Sequence, residues 1–292
     1  MRLIHWPVIL LLSCFINSCG LVQTIYNNAP EVISWWLDDY FNFTQAQKNV
    51  LNPALVDLHD WHRQQQLPKY VSILKDLQNN VSKAQISPAE ACATIDQIKA
   101  SYSQLQLEFI PIIIEIAPLL SDKQLQYFRT KLEERTQKWK DEWLQESPDA
   151  QLEARLEKTE DLAEKMYGSL DESQQDLLKQ NLADSGMQPS LTYAEILRRN
   201  QDVYQILTAI RNPSISPAEK SQLVKEGFAR LQKSPNPTYQ TYANQMVRRS
   251  CEVISNLHAS TSSKQKQHAQ EYLAAYIAQF SSLSSSTPPA KI

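Results

Sequence analysis

Glycine is nearly missing from this chain: 292 residues hold four, at Gly20, Gly168, Gly186 and Gly227. Tight hairpins and phosphate-cradling loops draw on glycine for positive φ, so extended sheets and nucleotide sites are poorly served. No GxGxxG, Walker-type lysine loop, GxSxG or HExxH occurs. Charge of one sign is lacking too: 29 Lys and Arg stand against 32 Asp and Glu, without the basic excess that a nucleic-acid binder carries. Long apolar runs are also missing. The stretch 109–120 holds Pro111, Glu115 and Pro118 and falls short of the ~20 apolar residues that cross a membrane, so a buried helix end is expected there. Together these absences argue against an enzyme, a nucleotide, a cofactor, a metal or nucleic acid. Gln, Leu, Ala, Glu and Lys dominate instead, all good helix formers. The expected fold class is all-α.

The first residues carry a targeting signal. Arg2 precedes a mostly apolar stretch, 3–16, in the layout of a secretory signal peptide. Ile16-Asn17-Ser18-Cys19-Gly20 then reads as a lipobox, with small Ser18 before the cut and Cys19 acylated. Leu11-Leu12-Ser13-Cys14-Phe15 competes, but leaves a shorter apolar core and a bulky Phe after the cysteine. The expectation is a leader over 1–18, lipidation at Cys19, a tether over 19–29, and a membrane contact made through the lipid. Gly20, where Asp would favour the inner membrane, points to the outer membrane with the body facing the periplasm. Removing Arg2 leaves 28 basic against 32 acidic residues, a net charge near −4.

Capping boxes organise the remainder. Thr44-Gln-Ala-Gln47, Ser87-Pro-Ala-Glu90, Ser121-Asp-Lys-Gln124, Asp171-Glu-Ser-Gln174 and Ser216-Pro-Ala-Glu219 pair a helix-capping side chain with Glu or Gln three residues on. Ser262-Ser-Lys-Gln265 is a sixth. Apolar residues Phe43, Ile86, Leu120, Leu170 and Ile215 precede the first five, as a hydrophobic staple requires. About ten helices in stacked hairpins follow from these starts, over 30–43, 45–66, 68–82, 88–117, 122–146, 149–168, 172–184, 190–211, 217–233, 237–259 and 262–282. Pro68 is read as a breaker and Pro53 as a kink. One domain over 30–282 is expected, with a possible break into two modules near 146–149 or 184–190, and a disordered tail over 283–292.

Few residues suggest chemistry. His59 and His62 lie i,i+3 on one helix and could share a metal, but no third ligand is evident, and His62 falls on the apolar stripe of Leu51, Leu55 and Leu58. A packed core histidine is expected. Asp38 and Asp39 point about 100° apart on a helix, so they cannot work as an acid–base pair. Asp39 is expected to anchor a buried cation such as Arg63, while Asp38 faces solvent. Trp35, Trp36, Tyr40 and Phe41, with Phe43, crowd one short helix close to the anchor. They suit a membrane interface or a protein-binding hot spot, or else a helix buried on most of its circumference. Once Cys14 has left with the leader and Cys19 is acylated, Cys92 and Cys251 remain in an oxidising compartment, where a disulfide is expected; two separate buried thiols are the alternative.

Tyr26-Asn27-Asn28, Trp35-Trp36-Leu37-Asp38-Asp39-Tyr40, Trp61-His62-Arg63 and Leu67-Pro68-Lys69-Tyr70 together resemble a family of bacterial lipoproteins of unknown function. The resemblance extends through the later boxes to the cysteine at 251 and implies an anchored helical protein, with no activity attached. The starts Phe43-Thr44-x-x-Gln47 and Leu120-Ser121-x-x-Gln124 are also similar to the LTxxQ motif of Spy-type periplasmic chaperones, which implies a holdase as the second possibility. The first is a non-enzymatic protein that binds a protein or another envelope component in a groove between helical hairpins.

Overall fold

The computed structural model describes residues 19–285, with side chains from residue 22 onward. The expected leader, the Cys14 and Cys19 thiols and residues 286–292 lie outside the described residues. Within them the chain forms twelve α-helices and no strand: α1 (Cys19–Asn27), α2 (Ala29–Phe41), α3 (Gln45–Trp61), α4 (Leu67–Val81), α5 (Pro88–Ile116), α6 (Asp122–Trp143), α7 (Pro148–Tyr167), α8 (Glu172–Ala183), α9 (Pro189–Ile210), α10 (Pro217–Gln232), α11 (Pro237–Ser260) and α12 (Ser263–Ser285). The fold is all-α, as its composition and caps imply.

All five expected boxes close in both directions, Thr44, Ser87, Ser121, Asp171 and Ser216 each capping its helix. Ser262 and Gln265 do the same. Pro88, Pro148, Pro189, Pro217 and Pro237 open five helices at the first position, where no N–H is needed.

Pro68 does not break its helix. Residues His62–Gln66 form a π-turn in which the Leu67 N–H reaches back to the His62 carbonyl, and α3 runs on into α4. A proline ring clashes with the carbonyl four residues earlier; the wider turn opens the spiral there and lets it continue. The turn buries Gln66 completely, and neither amide atom of its side chain has a hydrogen-bond partner among the described residues.

Boxes with Gln at the third position do more than cap. Gln47 and Gln124 donate to each other's amide oxygen (3.1 and 2.8 Å). Gln47 also donates to the Leu119 carbonyl, and Gln124 to the Phe41 carbonyl. Gln174 and Gln265 repeat the arrangement at 3.0 and 2.8 Å, donating also to the Ser260 and Ser169 carbonyls. Each clasp thus joins two helix starts, α3 with α6 and α8 with α12. Boxes with Glu, at Ser87 and Ser216, lie exposed and clasp nothing of this kind.

Two large cores result. One gathers Leu51, Leu55, Ile110, Phe128, Ile210 and Val224 from α3, α5, α6, α9 and α10. The other gathers Val81, Leu156, Leu178, Leu257 and Leu273 from α4, α7, α8, α11 and α12. Each buried Leu contributes roughly 1.5–3 kcal/mol. Both cores draw on residues from before 146–149 and after 184–190. Helix α5, about 43 Å long at 1.5 Å per residue, links the first core to a cluster of Ile86, Ala91 and Cys251. Residues 96–100, midway, are exposed all round. The isoleucine-rich stretch ends α5 with Ile110, Ile112 and Ile116 buried, and no described helix is long and apolar enough to cross a membrane.

Cys92 and Cys251 form the expected disulfide, with Cα atoms 5.4 Å apart. It joins the first turns of α5 to α11, within a small cluster of Ile86, Ala91, Ile95 and Val247. The ends of the described chain also meet. Residues 19–27, expected as a plain tether, are helical because Val22 and Tyr26, four apart, present one apolar face. Val22 packs with Leu67 and Leu283, and Tyr26 lies against the same cluster. Leu283, expected in a disordered tail, is 2 % exposed, and α12 runs on to Ser285 to deliver it.

Candidate functional site

The aromatic block divides sharply. Phe41 stacks on Phe128 (4.6 Å between centroids) and on Phe43 (5.4 Å). Tyr40 rests against Phe128, and its hydroxyl accepts from Arg135. Trp36 is half-buried beside Tyr40 at 5.0 Å. These rings fasten α2 to α6. Trp35, one residue and 100° further round, is 71 % exposed, and Val32 on the same face is 51 % exposed.

Trp35 borders a groove of about 570 Å³ between α2 and α3, with Pro30, Pro53 and Val56 as its other apolar walls. Ser34 donates to Asn52 (2.7 Å) and holds the two helices at fixed separation. Glu31 and Asp57 also line the groove. Asp38 does the anchoring that was expected of Asp39: it accepts the Phe43 N–H (2.7 Å) and pairs with Lys48 (2.9 Å), closing the α2–α3 turn. Asp39 is the exposed one and pairs with Lys131 instead of Arg63. The reversal comes from Asn42, whose left-handed conformation (φ 49°) turns the chain back over Asp38.

Arg63 is buried under α1. It donates to the Leu283 carbonyl (2.9 Å) and to Asn27 (2.7 Å), with its guanidinium 4.9 Å from the centre of the Tyr26 ring. Tyr26 Oη lies 2.8 Å from His62 Nδ1. Burial, then His59 and Arg63 nearby, pushes the His62 pKa down to about 4, so the ring is neutral and the phenol donates. Burial, reinforced by Arg63, lowers His59 as well. His62 is thus a packed, bonded histidine. Among the described residues no group of three or more His, Cys, Asp or Glu could hold a metal.

Sequence reasoning missed a second histidine of this kind. His258 is fully buried, with Nδ1 3.0 Å from Tyr167 Oη and Nε2 3.0 Å from the Lys83 carbonyl. It also missed Glu195, 3 % exposed, which accepts from Arg198, Arg199 and Ser234. Burial alone would raise its pKa, but the bonds from Arg198, Ser234 and Arg199 hold it below the ordinary value. These bonds tie His258 to α7 and to the α4–α5 turn, and Glu195 to its own helix and to Ser234.

A second groove, of about 310 Å³, runs between α6 and α9 under Tyr193 and Tyr204. Tyr193 stacks on Trp139, which stacks on Trp143, and Arg129 sits 5.9 Å from the Tyr204 ring centre.

An all-helical body with surface grooves between α2 and α3 and between α6 and α9 is what the geometry of the described residues defines. The chain belongs to the Family of unknown function (DUF6279), which it matches over residues 39–225. That span contains the first core, Phe41 and both grooves except for the α2 face before Asp39. No curated protein and no solved structure matches the chain.

Proposed function

We propose that this is a lipid-anchored, non-enzymatic protein of the outer membrane's periplasmic face, which holds a protein partner in the groove between α2 and α3. The observation that carries the reading is Trp35. Indole is costly to leave in water, and exposed Trp concentrates at binding hot spots. Here the neighbouring aromatics are all fastened inward, and only Trp35 stands beside a preformed groove. The anchoring rests on the Ser18-Cys19 junction behind the short apolar leader, and the compartment on a Cys92–Cys251 disulfide of the kind oxidising surroundings maintain. Helix α1, starting at Cys19, leads from the anchor directly to α2.

Two experiments test it. A palmitate analogue should label the protein in cells and fail to label Cys19→Ser; label kept there and lost in Cys14→Ser would move the anchor. A photo-crosslinking residue at position 35 should give one discrete adduct in intact cells. The same residue at position 162, where Leu162 is 62 % exposed on α7, should give none. Equal adducts at both positions, or none at 35, would remove Trp35 as the docking residue. Suppression of client aggregation by the purified protein would favour the holdase instead.

A further inference from the structure

The α6–α9 groove has a different chemistry, and we infer that it binds a neutral oligosaccharide. Its walls come from matching stripes at helical spacing: Arg129, Leu132, Glu133 and Thr136 on α6 face Tyr193, Leu197, Asn200 and Tyr204 on α9. Among the described residues the charged groups lining it are Arg129 and Glu133, which pair with each other at 3.5 Å. In a chain with 61 charged residues (29 and 32), such a balanced lining offers nothing to attract an ion.

What the groove does offer is aromatic surface beside neutral donors and acceptors. Tyr193 is held from one side by Trp139 at 6.1 Å and 17° between planes, and Tyr204 by the Arg129 guanidinium. Both rings are half-buried, and neither hydroxyl has a hydrogen-bond partner among the described residues, unlike Tyr26, Tyr40, Tyr167 and Tyr242. Asn200 gives its NH₂ to Thr136 (2.7 Å), which orients its amide and leaves the carbonyl oxygen to accept. Gln201 is exposed at the rim.

Pyranose rings have this complementarity. Their axial C–H faces are weakly positive and stack on the negative face of an aromatic ring, while their hydroxyls and acetamido groups both donate and accept. Fixed tyrosines reduce the entropy lost on binding, and a volume near the low end for small-molecule sites suits one or two sugar residues of a longer chain. The site is independent of Trp35 and lies between different helices.

The test is titration of the purified protein with chitotriose, an uncharged N-acetylglucosamine trimer, followed by saturation-transfer NMR, with maltotriose and a sulfated trisaccharide in parallel. A neutral trimer should bind saturably and the sulfated one at least about tenfold more weakly, a difference of roughly 1.4 kcal/mol. Tyr193→Ala should weaken binding about tenfold. Gln201→Ala, which alters only an exposed side chain and cannot unfold the protein, should weaken it measurably. Trp35→Ala should leave it unchanged. No saturable binding by either neutral trimer would overturn the inference, as would equal binding of the sulfated sugar or full binding by both groove variants.

Discussion

Replacing Gln174 by Glu changes one NH₂ into an oxygen at a site 1 % exposed. Glutamate can still accept the Asp171 N–H and the Gln265 amide, as Gln174 does at 3.1 and 2.8 Å. It cannot donate to the Ser260 carbonyl or to Gln265 Oε1, which lie 3.1 and 3.0 Å from the present nitrogen. The Ser260 carbonyl loses its donor, at roughly 1–3 kcal/mol for a group left unpaired; Gln265 Oε1 keeps the Ser262 N–H (2.9 Å), but a negative charge now faces both oxygens. The N-terminus of α8 offsets part of this through its dipole, by up to about 1 kcal/mol. The net expectation is a loss of about 2 kcal/mol at pH 7, or some 4–8 °C in Tm for a chain of this size. The new carboxyl has a pKa raised by burial in the folded state, so the penalty is absent below the ordinary Glu value and grows as pH rises from there to the folded pKa. The difference in urea midpoint between variant and wild type should therefore shrink at pH 4. Glu219→Gln in an exposed box is the control and should leave the midpoint in place. Gln174→Glu within about 0.5 kcal/mol of wild type at pH 7, or a deficit unchanged in acid, would refute the clasp as a structural element.

Three further outcomes follow from buried groups. His62 has a folded-state pKa of about 4 against 6.5 unfolded, so stability should fall as pH drops from 6.5 toward 4, by as much as about 3 kcal/mol; urea titrations of wild type and His62→Gln should diverge above that window and converge within it. The disulfide closes a loop spanning 159 positions, for which chain entropy sets an upper stabilisation of about 5 kcal/mol. Cys251→Ser should lower the unfolding free energy from urea titration by a large fraction of that, and intact mass after alkylation of the unreduced, denatured protein should show both thiols blocked in wild type. Gln66→Leu removes two buried polar atoms without hydrogen-bond partners among the described residues and should raise Tm; a lowered Tm would mean that the amide is satisfied in solution.

Much of the fold was legible because capping is local. A box needs only four residues, so Thr44, Ser87, Ser121, Asp171 and Ser216 marked helix starts with no tertiary information. The clasps were also within reach, though they were not read: an amide at the third position can cap its own helix and donate to a second box, whereas a carboxylate has no hydrogen to give. Gln47, Gln124, Gln174 and Gln265 are thereby set apart from Glu90 and Glu219. The partners of His258 and Arg63 were not legible, since Lys83 and Leu283 lie 175 and 220 residues away. Trp35 and Trp36 are chemically alike neighbours, and which one faces outward is decided by where α3 and α6 pack. The π-turn was hidden because Pro68 reads as a stop, and only the packing of α12 on α4 makes continuing worthwhile.

The bond from Arg63 to the Leu283 carbonyl imposes an order of events. The side chain that secures the first helix of the body waits for an acceptor 220 residues downstream, and Val22 and Leu67 wait for the same leucine to cover them. In a chain made from its N-terminus, α1 is therefore among the last parts to settle, even though it emerges first. Contacts of such long separation slow folding, because the loop must close before they reward it. A product truncated before Leu283 keeps every residue of the first core, yet takes one acceptor from the Arg63 guanidinium and the cover from Val22 and Leu67 near its N-terminus. The missing end is then sensed at the opposite end of the chain, where a protease would find an unfastened helix.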